Sequence, residues 1–301
     1  MLKIRKYAAI DIGSNAVRLL VSSIIEQKET SVKFKKNSLV RVPIRLGADV
    51  FLTGEISPYN EKRLIDTMSA FKLLMKSHGV ERYKACATSA MREAENGNYV
   101  CGKIAEQCEV NIDIIDGEEE ATIIAATDLN TFIDPNKTYL YVDVGGGSTE
   151  FSVIHNGEKV ESKSFKIGTV RLLNDIVKNE TWQELEVWIK KSTASYDKIE
   201  LIGSGGNINK IFKVSGKDLG KPLTYFYLTS YYQMLQNYSY EERITKLDLN
   251  QDRADVIIAA TRIYLSALKW SGPKDIYVPK IGLSDGIVKS IYYETVPSYS
   301  L

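Results

Sequence analysis

Alternating and clustered apolar residues predict β-strands at the start of the chain. Residues 7–25 have the pattern of a strand, a tight Gly-Ser-Asn turn and a second strand, and a third strand-like run covers 31–46. Between Asn60 and Ser77 the apolar residues recur every three or four positions, which predicts a helix. The chain is therefore expected to open with an antiparallel meander followed by a helix.

The rest of the chain alternates between short apolar runs and helical patterns. In the first half, strands are predicted at 82–87 and 111–115, and helices at 90–109 and 118–129. The second half is predicted to contain a strand at 157–166, helices at 168–178 and 181–196, a strand and glycine turn at 198–207, helices at 224–240 and 252–269, a strand at 275–279 and a helix after Ser284. This alternation is typical of α/β proteins.

An internal repeat indicates two related domains. The segment AAIDIGSNAVRLLV around Asp11 and the segment LYVDVGGGSTEFSV around Asp143 both read as a strand with one aspartate, a glycine turn and a second strand. A separation of this size fits a duplicated domain better than a short-period repeat. We expect domains at 1–120 and 121–301, and leave open whether the final helix packs back on the first domain.

Composition excludes several classes of function. The chain has 301 residues, 44% of them hydrophobic, and a net charge of +1, so it offers no general attraction to nucleic acid or to an anionic membrane. Its longest apolar stretches, such as 254–268, carry charges and are shorter than the roughly 20 residues that span a bilayer. We therefore expect a soluble cytoplasmic protein with neither nucleic acid nor membrane as a partner.

The scarce cysteines and histidines narrow the chemistry further. Cys86, Cys101 and Cys108 form no CxxC pair and are expected to be reduced thiols. The two histidines, His78 and His155, lie in or beside turn-like segments, and two imidazoles are too few for a histidine-rich metal phosphohydrolase site. The site chemistry is therefore expected to depend on carboxylates, glycine turns and arginine.

Three glycine turns are candidate phosphate sites, because consecutive backbone N–H groups without side chains can hold phosphate oxygens. The candidate positions are Gly13, Ser14 and Asn15 in the first turn, Gly145, Gly146, Gly147 and Ser148 in the second, and Gly205 and Gly206 in the third. A single turn of this kind is more often structural, whereas its repetition in two half-chains favours phosphate binding. The third turn opens a helix, and its reading as a plain strand-to-helix connection stays equally open.

The aspartates that precede the first two turns are candidate metal ligands. A carboxylate aimed into a phosphate site repels the phosphate unless a cation such as Mg²⁺ lies between them. Asp11 and Asp143 are therefore expected to face a metal.

A set of motifs resembles one family over nearly the whole chain. The motifs are AAIDIGSNAVRLLV, RLG at 45–47, ATSAMREAEN at 87–96, DGEEEA at 116–121, VDVGGGSTEF at 142–151, IGTVRL at 167–172, GSGGNI at 203–208 and DRADVIIA at 252–259. Together they resemble the exopolyphosphatase/guanosine pentaphosphate phosphohydrolase (Ppx/GppA) family. The resemblance implies an α/β protein with two ribonuclease-H-like domains of the actin and sugar-kinase type and an active site in the cleft between them.

The resemblance also implies roles for individual residues. Glu120 would orient or activate the attacking water, and Arg92 would contact the transferred phosphate. Asp143 and Glu150 would organise Mg²⁺, with Mn²⁺ as an alternative, and Asp11 joins them as a candidate metal ligand. The implied reaction is the release of terminal phosphate from inorganic polyphosphate.

Some choices stay open within the resemblance. The substrate is either polyphosphate or pppGpp, and a non-catalytic sensor of these anions or a kinase or ATPase of the same superfold are further alternatives. The chain has no match to the histidine/aspartate helical region of long family members, so short polyphosphates or a nucleotide are expected to be preferred. The usual GLREG of the family is GLSDG here, with Ser284 and Asp285 in place of the basic group. A homodimer is neither required nor excluded.

Overall fold

The computed structural model describes residues 2–27, 31–125, 127 and 133–295. Contacts divide the chain into two compact units, which we call unit 1 (Met1–Thr127 with Leu283–Leu301) and unit 2 (Asp128–Gly282). The boundary expected at 120/121 falls inside the helix Gly117–Ala125. The division lies after that helix instead, because a continuous hydrogen-bonded helix packs as one element.

Unit 1 is built on a five-stranded mixed sheet. Its elements, in chain order, are β1 (Leu2–Ile12), β2 (Val17–Gln27), β3 (Lys33–Val42), α1 (Leu46–Thr53), α2 (Pro58–His78), β4 (Arg82–Ala87), α3 (Ser89–Glu93), α4 (Gly97–Cys108), β5 (Ile112–Ile114) and α5 (Gly117–Ala125). The strand order is β3-β2-β1-β4-β5, with β1 antiparallel to β2 and parallel to β4. The predicted meander is confirmed.

Local sequence explains where the helix α2 begins and ends. The hydroxyl of Ser57 accepts a hydrogen bond from the N–H of Asn60, Pro58 follows in the first turn, and Gly79 ends the helix in a left-handed conformation with φ 67°. The apolar stripe of α2 is buried against the sheet. Of the helix predicted at 90–109, the structure makes two helices, α3 and α4, and α1 was not predicted.

Unit 2 repeats this architecture. Its elements are β6 (Thr138–Val144), β7 (Thr149–His155), β8 (Glu158–Phe165), α6 (Thr169–Leu173), α7 (Asn179–Thr193), β9 (Ile199–Ser204), α8 (Gly206–Val214), β10 (Leu223–Thr224), α9 (Tyr225–Asn237), α10 (Tyr240–Thr245), α11 (Gln251–Ala254), α12 (Ile257–Ser271) and β11 (Asp275–Tyr277). The strand order is β10-β11-β9-β6-β7-β8, with β6 antiparallel to β7 and parallel to β9. The repeat seen in sequence is therefore a repeat of sheet topology.

The last described helix, α13 (Leu283–Thr295), belongs to unit 1. It packs against α5, β1 and β4. A Cβ at Gly286 would lie 2.1 Å from the carbonyl oxygen of Ile123, so only glycine permits this close approach to α5. Of the predicted extension of α5 to Leu129, only Thr127 is described, and it is not part of the helix.

Three further expectations concern membrane segments, cysteines and the fold class. In the part of the chain that the structure describes, no helix combines the length and apolar character needed to cross a membrane. All three cysteines are free thiols, as expected. The two α/β sheets confirm the fold class expected from the sequence.

Candidate functional site

The first glycine turn joins β1 to β2 in unit 1. The N–H of Gly13 donates to the carbonyl of Ala16 at 3.1 Å and closes the turn. The hydroxyl of Ser14 is buried and lies 2.9 Å from the hydroxyl of Ser89 in α3. The turn is thus fixed to the helix that follows β4, and its serine is already engaged by the protein.

A second segment, RLG at 45–47, supports the same turn. The N–H of Gly47 donates to the carbonyl of Ser14 at 2.8 Å, and the N–H of Arg45 donates to the carbonyl of Asn15 at 3.1 Å. Arg45 has the left-handed φ of 66°, which is uncommon for a residue other than glycine. A Cβ on Gly47 would lie 3.0 Å from that of Ser14, so a glycine lets α1 come this close.

Asp11, which was expected to face a metal, is paired with an arginine. It is buried, and its Oδ2 accepts a hydrogen bond from Arg18 Nη1 at 2.7 Å. The two residues are directly opposite each other in the β1–β2 register. Because the guanidinium already balances this carboxylate, we leave Asp11 out of the metal site proposed below.

Arg92 and Glu120 lie on neighbouring helices at one edge of the unit 1 sheet. Strands β1, β4 and β5 are parallel, so their carboxyl ends, which lead into the first turn, α3 and α5, share this edge. Arg92 donates from Nη1 to the carbonyl of Ile115 at 2.5 Å. The carboxylate of Asp116 then caps α5 by accepting from the N–H groups of Glu118 and Glu119.

This cap fixes the start of α5 and with it the position of Glu120. Glu118 and Glu119 are exposed at the helix start, whereas Glu120 is half-buried one position further along. Arg92 fixes the residue that precedes the cap, so the two residues expected to act on phosphate are linked through the β5–α5 connection. Asp116 is a supporting residue that the sequence analysis missed, although Asp-Gly before three glutamates is a helix-start signal.

The second glycine turn joins β6 to β7 in unit 2 and closes in the same way as the first. The N–H of Gly145 donates to the carbonyl of Ser148 at 3.0 Å. The residues that follow β8 bind its carbonyl groups. Thr169 N–H donates to Gly145 O at 3.0 Å and Val170 N–H to Gly146 O at 2.8 Å.

Arg171, which the sequence analysis did not single out, completes this support. Its Nε donates to the carbonyl of Gly147 at 2.7 Å, and the side chain is buried. A Cβ at Gly168 would lie 2.3 Å from Gly146 O, so glycine is required where α6 meets the turn. The only sequence signal for this role was the IGTVRL motif.

Two carboxylates lie next to the second turn. Asp143 and Glu150 are directly opposite each other in the β6–β7 register, so their side chains share one face of the sheet. Glu150 is 3% exposed, and its Oε1 accepts hydrogen bonds from the hydroxyls of Ser148 at 2.6 Å and Ser164 at 3.0 Å. Like charges in this position are unfavourable unless a cation or donors compensate them.

The third turn lies against Asp143. Gly205 has φ 113°, and a Cβ there would lie 2.8 Å from Val144 O and 3.3 Å from Asp143 Oδ1. The fully buried hydroxyl of Tyr264 donates to the carbonyl of Ser204. Burial and, after it, the charge of Asp143 raise the pKa of Tyr264 well above its usual value, so its phenol stays protonated. Gly205 and Gly206 therefore belong to the same region of unit 2 as Asp143.

The oxygen-rich chemistry of this region fits a hard cation. Asp143, Glu150 and the serine hydroxyls offer the oxygen donors that Mg²⁺ prefers. Within the described ranges, no three His, Cys, Asp or Glu side chains converge as a ready-made metal cluster. A cation here would therefore complete its shell with water or phosphate oxygens, as Mg²⁺ usually does in phosphoryl-transfer sites.

The structure thus brings the predicted residues together in two groups. Unit 1 gathers Gly13, Ser14, Asn15, Arg92 and Glu120 at the carboxyl edge of its sheet. Unit 2 gathers Asp143, Glu150, the turn 145–148 and Gly205–Gly206 at the corresponding edge of its own.

Comparisons with known proteins agree with these motifs. A sequence profile described as the Ppx/GppA phosphatase family matches residues 24–294. The guanosine-5'-triphosphate,3'-diphosphate pyrophosphatase of Photobacterium profundum is 32% identical over 174 residues, which are 58% of this chain and 34% of that protein. Exopolyphosphatase 2 of Mycobacterium tuberculosis is 30% identical over 172 residues, which are 56% of this chain and 53% of that protein. The chain spans about half the length, or less, of these curated relatives.

A solved structure resembles the chain over its whole length. It is the crystal structure of the Aquifex aeolicus member of the Ppx/GppA protein family, with 26% sequence identity and a TM-score of 0.77. The likeness covers 98% of this chain and 100% of that one.

Proposed function

Because the chain belongs to the Ppx/GppA phosphatase family, we propose that it is an exopolyphosphatase that releases terminal orthophosphate from inorganic polyphosphate by water attack. The observation that carries the proposal is in unit 2, where a glycine turn with bound carbonyls lies beside two facing carboxylates, Asp143 and Glu150. A phosphate chain fits this arrangement, because backbone amides can bind its oxygens and a divalent cation held by the carboxylates would neutralise part of its charge.

In the proposal, unit 2 binds the phosphate chain. The amides of Gly146, Gly147 and Ser148 hold non-reacting phosphate oxygens, and Gly205 and Gly206 extend this surface at the start of α8. Asp143 and Glu150 would hold Mg²⁺, with Mn²⁺ as an alternative. When bound, the cation neutralises charge on the phosphate oxygens.

Unit 1 provides the groups that act on the terminal phosphate. Glu120 orients the attacking water and accepts its proton as the bond from the water oxygen to the terminal phosphorus forms. The phosphoanhydride bond breaks in the same step, and the bridging oxygen leaves on the shortened phosphate chain. Arg92 stabilises the charge on the equatorial oxygens, and the hydrogen bond to Ile115 O holds its guanidinium at the start of α5. Gly13, Ser14 and Asn15 form a second backbone cradle.

Two alternatives remain within this chemistry. The pyrophosphatase name of the Photobacterium relative favours pppGpp as a second candidate substrate, since it also presents a terminal phosphoanhydride. A non-catalytic sensor of polyphosphate or guanosine phosphates would keep the turns, but it would not need a water-orienting Glu120. We propose that the protein acts in the cytoplasm, with no nucleic acid or membrane as a partner.

The test is phosphate release from short polyphosphate, long polyphosphate and pppGpp in parallel, with Mg²⁺ and with EDTA. We expect Mg²⁺-dependent release, and we expect Glu120→Gln to lower kcat about 100-fold or more because it removes the general base while keeping the side-chain volume. Glu119→Gln is the matched control, since Glu119 is exposed and should be dispensable for phosphate release. Unchanged release by Glu120→Gln would remove Glu120 from the mechanism. Tight substrate binding without release would favour the sensor.

A further inference from the structure

Three successive carbonyl groups of the second glycine turn are bound by one segment of the chain. Thr169 N–H, Val170 N–H and Arg171 Nε take the carbonyl oxygens of Gly145, Gly146 and Gly147, in that order, at 3.0, 2.8 and 2.7 Å. Three successive residues after β8 thus bind three successive residues of the turn. The contact is close as well, because Gly168 leaves no room for a Cβ beside Gly146.

Peptide geometry determines the direction in which the N–H groups of this turn point. In a trans peptide, the N–H of each residue points away from the carbonyl of the residue before it. Binding the three carbonyls toward α6 therefore directs the N–H groups of Gly146, Gly147 and Ser148 to the opposite side. Among the described residues, these three N–H groups have no protein acceptor.

We propose that Arg171 is a positioning residue that, with Gly168, orients the amides of the turn 145–148 for polyphosphate. The inference rests on the proposed function and goes one step deeper, since it assigns the strength of phosphate binding to groups that do not touch phosphate. Arg171 contributes through Nε, which fixes the last of the three carbonyls, and Gly168 contributes by allowing the close approach.

The first turn supports the inference independently. There, Gly47 N–H and Arg45 N–H bind the carbonyls of Ser14 and Asn15, so the amides of Asn15 and Ala16 face away from α1. A glycine again permits the approach. Each unit therefore pairs its glycine turn with a segment containing Gly and Arg that binds the turn carbonyls.

The test compares Arg171→Met with the wild type in kinetics and in direct binding. We expect KM for short polyphosphate to rise about tenfold or more while kcat changes less than about threefold, because binding of non-reacting phosphates is lost. Inorganic tripolyphosphate with Mg²⁺, titrated by calorimetry into proteins that also carry Glu120→Gln so that it is not hydrolysed, should bind about tenfold more weakly when Arg171 is replaced by Met. Added guanidinium should restore binding, since it can refill the vacated site on Gly147 O.

Arg243 provides a matched control in the same unit. Its guanidinium also donates to main-chain carbonyls, those of Tyr238 and Ala254, but it does not contact the glycine turns. Arg243→Met should lower the urea midpoint without changing KM or tripolyphosphate affinity. An equal rise in KM for both variants would reduce Arg171 to a general stability role and overturn the proposal.

A second variant covers the case in which Arg171→Met does not fold. Gly168→Ala leaves every charge in place but pushes α6 from the turn, so it should also raise KM. In the double variant, the two effects should combine to less than their product, because both release the same carbonyls. Full multiplication would mean that Arg171 contacts phosphate directly and would overturn its positioning role.

The outcomes separate this inference from the proposed function. If the wild type binds tripolyphosphate but releases no phosphate, and Arg171→Met loses the binding, the hydrolase proposal fails and the inference holds. If the wild type hydrolyses polyphosphate and Arg171→Met keeps its KM and affinity, the inference fails and the hydrolase stands. A wild type that neither binds nor hydrolyses would overturn both.

Discussion

In both units, the strand aspartate before the glycine turn faces one residue across the hairpin, and that residue differs. Asp11 faces Arg18, whereas Asp143 faces Glu150. Both turns close with the same backbone hydrogen bond, from Gly13 to Ala16 and from Gly145 to Ser148. The first pair combines opposite charges, while the second places two carboxylates beside the second glycine turn.

The two copies of a duplicated motif can thus share a backbone structure while their side chains serve different purposes. An aspartate–arginine pair supports a turn without any ligand, because the opposite charges compensate each other. A pair of facing carboxylates gains from a cation, which is what a phosphate substrate in magnesium brings. Sequence similarity around the two aspartates therefore does not imply two metal sites.

The largest effect should come from removing the charge of Glu150. Glu150→Gln keeps the side-chain volume but leaves Asp143 as the one carboxylate of the facing pair. We therefore expect kcat to fall about 100-fold or more and the Mg²⁺ concentration needed for half-maximal activity to rise. Phosphate release measured across a Mg²⁺ titration checks this.

Asp11→Asn is the matched variant in unit 1. It weakens the bond to Arg18, whose side chain is 33% exposed, and should cost about 1 kcal/mol of stability. Its Mg²⁺ midpoint should equal that of the wild type. A shift of that midpoint as large as the one caused by Glu150→Gln would erase the contrast between the two hairpins.

Replacing the glycine that supports each turn by alanine should cost more stability at the second turn than at the first. Gly168→Ala places a Cβ against backbone atoms of Gly146 and Gly147, at 2.3–2.4 Å, and should cost about 1–3 kcal/mol in urea unfolding. Gly47→Ala meets mainly the ring of Phe51, at 2.7 Å, which can move, so about 1 kcal/mol or less is expected.

A glycine with free space around it serves as the control, because its replacement by alanine should stabilise the protein. Gly102 lies inside α4 with nothing within 4 Å of its position for a Cβ, so Gly102→Ala should stabilise the protein by about 0.5–1 kcal/mol. If Gly47→Ala proved costlier than Gly168→Ala, the second turn would not be the more tightly supported one.

Local patterns predicted most of the fold but not the supports of the site. The meander, α2 and the two glycine turns depend on spacing and turn residues that lie close together in sequence. The short helix α1 and the left-handed Arg45 depend on packing against the first turn, which no local pattern records. The pairing of Asp11 with Arg18 was readable in principle, because the length of a hairpin turn fixes its register.

Contacts between distant segments account for the remaining gaps. Arg171 acts on a turn more than twenty residues earlier, and its sequence signal was only the IGTVRL motif. The return of α13 to unit 1 depends on Gly286 and on the ion pair between Asp285 and Lys36. In the GLSDG variant of the family motif, Ser284 stands at the position of the basic residue, and Asp285, at the position of the acidic one, pairs with a lysine of β3.

The smallest effect is expected for the ion pair of helix α13. Cysteine and tryptophan residues provide separate probes for the two units. All three cysteines lie in unit 1, and Trp182, Trp188 and Trp270 lie in unit 2. Burial raises the pKa of Cys86 to about 12, so its thiol stays protonated at pH 8 and should react with a disulfide reagent only when unit 1 opens.

Asp285→Asn removes an ion pair whose lysine is half-exposed, so it should lower the stability of unit 1 by less than about 1 kcal/mol. Cys86 labelling at pH 8 should then become up to about fivefold faster, while the urea transition in tryptophan emission stays in place, because the broken contact lies within unit 1. The charge swap of Lys36→Asp with Asp285→Lys should return labelling to the wild-type rate. Faster labelling accompanied by an equal shift in tryptophan emission would mean that the contact stabilises both units together, and unit 1 would then not open by itself.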